Sequence, residues 1–467
     1  MKKLVLVMLA FVLTISLMSC NKDRTVNASA KLVDWYELSE DVEFDTSKEF
    51  TVTFWHSMGE VNEGLLEGWI SDFEEMYPNI TVNQVPTSVG DYSGLADNVA
   101  LAIAAGNEPD IVQSYPDHVA RYASAKAPLA LNDFISNPNF GFTEEEINDF
   151  LPSLWAEGSS YDTEGTFLSL PFTKSSEALF YRADYFEEKG YDVPTTWDEV
   201  FAIAELIKAD EPDSLPFGYD SDENLFITAS EQYPADYTSL TKVENADGSE
   251  SLQGNVLFNN DDSMDMLAYF KDKVDKGLMG TQGLTGAYSS DAMKAGDTTY
   301  MYVGSTGGTK YAYDSMSESV FTDDGYRVGV TTVPSFDANN KAQIQQGPNI
   351  NLFAKDDEQQ MIASWLFAKY LVSPEVSAEL GVESGYAPVR YSAYETDTWE
   401  TYEATVPENP TTIDDAIDKL IYEAIDMFRQ NGDVFFTSAV FNLSSKTRTE
   451  TGNLLIKVLT YDPQGDT

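Results

Sequence analysis

An α/β fold in two lobes is what the sequence predicts, and three observations predict it. Short apolar strands alternate with amphipathic helices, the pattern of βαβ units and a mostly parallel sheet. The chain has 467 residues, more than a single core supports. Hydrophobic residues make up 42% of it and aromatic residues 13%, ample for two packed interiors.

The first strand is read at Glu49-Phe50-Thr51-Val52-Thr53-Phe54-Trp55. A helix follows, with Leu65, Leu66, Trp69, Ile70, Phe73 and Met76 on one face, and stops near Pro78. Ile80-Thr81-Val82 begins the second strand. Leu95 to Ala105 forms the second helix, ended by Gly106-Asn107-Glu108-Pro109, and Asp110-Ile111-Val112 forms the third strand. Further on, Phe167 to Phe172 and Ala178 to Tyr181 read as strands flanking a polar turn. Thr195 and Thr196, followed by Asp198 and Glu199, open a helix that runs to about Lys208, with a hydroxyl cap and early acidic residues. Met264 to Val274, Gln360 to Leu371 and Ile413 to Phe428 complete the helices. In the last, positions 413, 416, 417, 420, 421, 424, 425 and 428 form one apolar stripe.

The N-terminus has the layout of an export signal. Lys2 and Lys3 precede an apolar run from Leu4 to Met18, too short to cross a hydrocarbon core of ~30 Å as a helix. Leu17-Met18-Ser19-Cys20 reads as a lipobox, with the chain's single cysteine at the cleavage point. Residues 1–19 are therefore expected to be a lipoprotein signal peptide, and Cys20 the lipidated residue that anchors the protein to the cell membrane. Residues 20–47 are polar, without apolar periodicity, and are expected to form a tether. With one cysteine no intrachain disulfide exists, so the fold rests on its cores.

Net charge is −50, from 28 basic and 78 acidic residues. Such a chain lacks the basic surface that displaces counterions from nucleic acid, so nucleic-acid binding is excluded as an expectation. The acidic residues are spread along the chain and read as a solvated surface. Only two histidines occur, His56 and His118, and no HExxH, CxxC, phosphate-loop or dinucleotide fingerprint is present. No metal, cofactor or catalytic residue is expected.

Several segments in fixed order carry a resemblance. They are Thr53-Phe54-Trp55-His56-Ser57-Met58-Gly59, Ala105-Gly106-Asn107-Glu108-Pro109-Asp110-Ile111-Val112, Leu170-Pro171-Phe172 through Phe180-Tyr181-Arg182-Ala183-Asp184-Tyr185-Phe186, Pro194-Thr195-Thr196-Trp197, and Ser384-Gly385-Tyr386-Ala387-Pro388-Val389. From about residue 49 to 460 the chain resembles the sugar-type, family 1 solute-binding proteins of ABC importers, and within them the glycerol-3-phosphate-binding members. The resemblance implies the two-lobe periplasmic-binding-protein fold of type II, with a ligand cleft between lobes joined by three crossing strands. Lobe 1 would be 48–170 plus 331–385, and lobe 2 would be 171–330 plus 386–467. It also implies a further helix after Leu459, where this sequence ends at Thr467.

Carried over residue by residue, the resemblance implies a phosphate half of a binding site. Tyr92, Ser175, Tyr386 and Arg448 fall on matching positions, and Gly304-Ser305 falls on a turn that offers hydroxyl and amide donors. A guanidinium forks onto two phosphate oxygens while hydroxyls and amides supply further donors. The polyol half departs: Pro116, with Asp117 beside it, stands where a glutamate is implied. Two cleft tryptophans correspond to Glu223 and Phe226, which makes Phe226 a candidate stacking platform. Trp55 and His56 close the first strand, where a loop could line the cleft. The resulting expectation is a monomeric lipid-anchored receptor, not an enzyme. It captures glycerol-3-phosphate, a glycerophosphodiester or a related phosphorylated polyol and passes it to a membrane permease. A neutral mono- or oligosaccharide receptor, an extracellular carbohydrate-active hydrolase and a surface adhesin remain the alternatives.

Overall fold

The computed structural model describes residues 29–31, 35–39, 42–296, 298–321 and 325–462. Residues 1–19 and Cys20, the expected signal and anchor, lie outside the described residues. Among the described residues, no helix is long and apolar enough to cross a membrane.

Two sheets organise the molecule. In the first, Phe50–His56 lies between Ile80–Pro86 and Ile111–Ser114, parallel to both, and Asn349–Leu352 and Leu170–Pro171 add antiparallel strands at the far edge. Residues 50, 52, 54 and 56 of the first strand are buried, whereas 51, 53 and 55 are not fully buried. The inward set joins a core with Leu66, Trp69 and Phe73 of helix Glu60–Met76 and with Trp365 and Phe367 of helix Glu358–Leu371. Trp55 points the other way, against Leu95, Ala96 and Val99 of helix Tyr92–Ala105. The period-2 alternation of the strand therefore covers both faces with helices, as a parallel sheet requires.

The second sheet runs Met279–Thr281, Phe217–Tyr219, Met301–Ser305, Ser175–Arg182, Gln343–Gln346, Phe435–Phe436, with Val328–Thr331 also paired to Ser175–Arg182. Leu179, Met301 and Val303 face one core, which helices Trp197–Asp210, Asp261–Asp275 and Ser444–Thr460 cover. Ala178, Phe180 and Tyr302 face another, covered by helix Ile413–Gln430. Helix Trp197–Asp210 opens with a full capping box, Thr196 with Glu199, as its sequence predicts.

The chain leaves the first sheet at Pro171, enters the second at Ser175, and returns between Gln346 and Asn349. The expected return at residue 331 is corrected by these pairings. Val328–Thr331 and Gln343–Gln346 both bond to Ser175–Arg182, and Val333 packs in the second lobe's core. Two antiparallel strands, Thr238–Glu244 and Glu250–Val256, form a hairpin that extends from lobe 2, and Ser29–Lys31 pairs with its second strand.

The expected tether is also shorter than its polar composition suggested. Tyr36, Leu38, Val42 and Phe44 pack on the lobe 1 core. Glu358 accepts hydrogen bonds from the Tyr36 hydroxyl (2.7 Å) and the Ser39 amide and hydroxyl, and Asp133 accepts one from the Leu38 amide (3.0 Å). Sparse aromatic residues, rather than a periodic pattern, seat this segment.

Candidate ligand-binding cleft

The three parallel strands of lobe 1 all end toward the same edge, and the loops that follow them build one wall of a cleft. After Phe50–His56, the Ser57 hydroxyl donates to the Ser88 carbonyl (2.6 Å) and the Ser57 carbonyl accepts from the Gly90 amide (3.0 Å). This ties the first loop to the second. Gly90 has φ +75, a left-handed conformation that glycine adopts without strain, and Asp91 caps the next helix through the Gly94 amide (2.9 Å). Tyr92 is thereby fixed as the first residue of its helix. After Ile111–Ser114, Tyr115 precedes helix Pro116–Ala123, where proline suits the first helical position.

Tyr92 and Tyr115 meet edge to face with centroids 5.1 Å apart. Burial raises the phenol of Tyr92 well above its ordinary range, and its contact with the Tyr386 hydroxyl adds to this. Tyr386 arrives from the end of helix Pro374–Ser384, which Gly385 terminates at φ +78. Across the cleft, the turn after Ser305 approaches this ring. A Cβ on Gly307 would lie 3.0 Å from it, and the Ser305 hydroxyl accepts from the Gly307 amide (3.2 Å). Gly304 sits one residue earlier, in the strand, opposite Ala178.

Arg448 lies on helix Ser444–Thr460, which packs against helix Asp222–Gln232. Its guanidinium donates to the side-chain carbonyl of Asn224, a neutral partner. Asn224 in turn donates to Glu177, which also accepts from the Tyr219 hydroxyl at 2.5 Å. Burial raises the Glu177 carboxyl to about 7, and the Arg448 charge opposes that rise. The same charge also acts on Tyr115, His118 and Tyr237. A small, partly open space between the lobes is lined by Tyr115, Asp117, Glu157, Gln345, Ser438 and Arg448, among others.

Beneath this space the lobe crossings are joined by one side chain. Lys174, fully buried, sits in the first crossing and donates through Nζ to Glu157 (2.6 Å), to the Gly347 carbonyl of the second crossing (2.8 Å), and to Asn349 (3.1 Å). Its own carbonyl accepts from the Ala387 amide (2.7 Å), one residue after Tyr386. Three donor positions and three acceptors leave the buried ammonium satisfied, the condition under which a buried ion pair is tolerated.

The structure thus brings Tyr92 and Tyr386 together, and places Asp117 and Arg448 around one space. It sets Ser175, almost fully buried, opposite Gln346 at the crossing, and Gly304 and Ser305 at the turn facing Tyr386. It does not bring Phe226, His56 or Trp55 there. Phe226 is 1% exposed inside the lobe 2 core, against Phe258 at 5.3 Å, so no ligand can stack on it. His56 is fully buried, its Nε2 bonded to Gln84 (2.8 Å) and its Nδ1 accepting from the Met58 amide (3.2 Å). Trp55 packs on the opposite face of its strand. Sequence reasoning missed Tyr115, Glu157, Asn224 and Gln345. For Tyr115 a signal existed, since it directly follows a parallel strand and precedes a proline at a helix start.

A family model described as bacterial extracellular solute-binding protein matches residues 68–408. The chain belongs to that family. This solute-binding protein is 26% identical over 356 residues to the sn-glycerol-3-phosphate-binding periplasmic protein UgpB of Escherichia coli K12, covering 74% of this chain and 75% of the relative. Among solved structures it is similar to the sugar-binding protein MalE of Xanthomonas citri (TM-score 0.67, 18% identity, 89% and 93% of the two chains). It is also similar to UgpB of Mycobacterium tuberculosis in complex with glycerophosphocholine (TM-score 0.58, 17% identity, 88% and 98%). These neighbours share the two-lobe type II fold, and those named here are binding proteins.

Proposed function

We propose that this solute-binding protein is the receptor of an ABC importer, held outside the cell membrane through lipid on Cys20, and that it captures a small phosphorylated polyol. Glycerol-3-phosphate, a glycerophosphodiester or a related phosphorylated polyol is the favoured class. The observation that carries the reading is the pairing of Arg448. In a chain of net charge −50, a guanidinium facing the cleft is hydrogen-bonded to a neutral amide rather than neutralised by a carboxylate. Its remaining donors have no partner among the described residues and can fork onto phosphate oxygens. Tyr92, Tyr386 and the Ser305 turn offer hydroxyls and amides from both lobes. A ligand that touches both lobes stabilises the closed arrangement by the difference in its contacts between the two states, and the closed form is what a permease would receive. The names of the two UgpB relatives support the same class.

A neutral mono- or oligosaccharide is the second reading. Asp117 and Glu157 line the same space, and carboxylates accept sugar hydroxyls. The MalE neighbour supports it. A thermal-shift and calorimetric panel of phosphorylated polyols and neutral sugars decides between them. A ligand at 100 times its Kd adds about 2.7 kcal/mol of stability. If phosphorylated compounds alone stabilise the protein and Arg448→Ala weakens them at least about 30-fold, the anion reading stands. If neutral sugars stabilise it and Arg448→Ala changes nothing, the saccharide reading replaces it.

A further inference from the structure

Two glutamines stand two residues apart on the strand Gln343–Gln346, on the same face, and their amides are treated differently. Gln343 is fully employed: Nε2 donates to the Ser176 hydroxyl and the Glu177 carbonyl (both 3.2 Å), and Oε1 accepts from the Val333 amide (3.0 Å). Gln345 is 5% exposed, and neither its Nε2 nor its Oε1 has a hydrogen-bond partner among the described residues. It lines the space between the lobes with Asp117, whose Oδ1 is likewise buried and unpartnered, and with Arg448. Unpaired buried polar atoms are costly, and native structures keep them only where something else compensates.

We infer that Gln345 and Asp117 form the hydroxyl-reading subsite of the cleft, taking adjacent hydroxyls of a polyol. This rests on the reading of the cleft as a solute site and specifies its second half. The chemistry is complementary. An amide supplies one donor and one acceptor side by side, so one hydroxyl accepts from Nε2 while its neighbour donates to Oε1, and the carboxylate of Asp117 accepts a further O–H. Arg448, on the same lining, holds the anionic end. Gln345 lies two residues before Gly347, next to the stretch that passes from the second sheet to the first. A site built to pair with hydroxyls rejects analogues that lack them, because its polar groups then stay unpaired.

The test compares sn-glycerol-3-phosphate with n-propyl phosphate, the same kind of ester without hydroxyls, and with maltose, by calorimetry on the wild-type protein and Gln345→Leu. Gln345→Leu is expected to weaken sn-glycerol-3-phosphate by about 10- to 100-fold, and to leave n-propyl phosphate unchanged. Because it removes an unpaired amide, the melting temperature of the unliganded variant should hold or rise, which a merely structural role would not produce. Equal affinity of variant and wild type for sn-glycerol-3-phosphate overturns the inference. If the wild type binds only maltose, the phosphate reading fails alone, and the same comparison on maltose then supports or overturns the role of Gln345. If no hydroxylated probe binds, both fall. Should Gln345→Leu not fold, Gln345→Met keeps the length without the amide and answers the same question.

Discussion

Glu177 shows how far a single residue reaches in this protein. It receives hydrogen bonds from Tyr219 and Asn224, and Asn224 holds Arg448, so one buried carboxyl stands behind the cationic end of the cleft. Burial raises its pKa from 4.5 to about 7. Between those values the folded protein keeps a proton that the unfolded chain has released. The stability this supplies is present below the unfolded value and is lost as pH rises through about 7, by an amount of order 3 kcal/mol at most. Chemical denaturation at pH 5 and pH 8 should therefore show wild-type stability falling, and Glu177→Gln, which keeps the neutral form at both, falling less. Parallel losses in the two proteins would show that Glu177 does not titrate in this window. None of this chain of contacts was readable beforehand, because a glutamate among 78 acidic residues carries no mark of burial.

At the scale of elements, the crossings are the most constrained stretches of backbone. Gly347 has φ +95, and a Cβ there would lie 2.0 Å from the Thr173 carbonyl oxygen of the neighbouring crossing. Gly347→Ala combines a strained conformation with a backbone clash, and should cost at least about 2 kcal/mol and alter ligand affinity as well. Equilibrium unfolding with the ligand panel checks it, and a variant indistinguishable from wild type would refute this account of the crossing. The long elements were legible from pattern. Helices expected at 413–428, 360–371 and 264–274 are found at 413–430, 358–371 and 261–275, because a sustained apolar stripe needs no tertiary information. The hairpin at 238–256 was not legible, since its strands carry no alternation of apolar and polar residues. His56 was misread although its strand already contained the answer: residues 50, 52, 54 and 56 share a face, and the first three are apolar core. Tyr92, Tyr386 and Arg448 came from resemblance, not from composition. Gln345 had no signal at all in a single sequence, because an unpaired amide is a property of packing alone.

Over the whole molecule the charge is the dominant long-range quantity. Seventeen ion pairs are found among the described residues, whereas the sequence holds 50 more acidic than basic residues, so the carboxylates far outnumber the cations available to pair with them. Raising NaCl from 0.05 to 1 M contracts the Debye length to about 3 Å and should stabilise the protein by roughly 1–2 kcal/mol, a rise of a few degrees in Tm. A flat or falling Tm would mean that self-repulsion is already negligible at low salt. The segment from Ser29 to Ser47 has a different whole-molecule consequence, a mechanical one. Its strand Ser29–Lys31 pairs with the lobe 2 hairpin, while residues 35–39 and 42–47 are seated on lobe 1 through Glu358, Asp133 and half-buried aromatic rings. Tension applied at residue 29 loads a three-residue strand first and a packed segment second. With only three paired residues against a packed segment, a pull at residue 29 would be expected to part the strand from the hairpin before the segment left lobe 1.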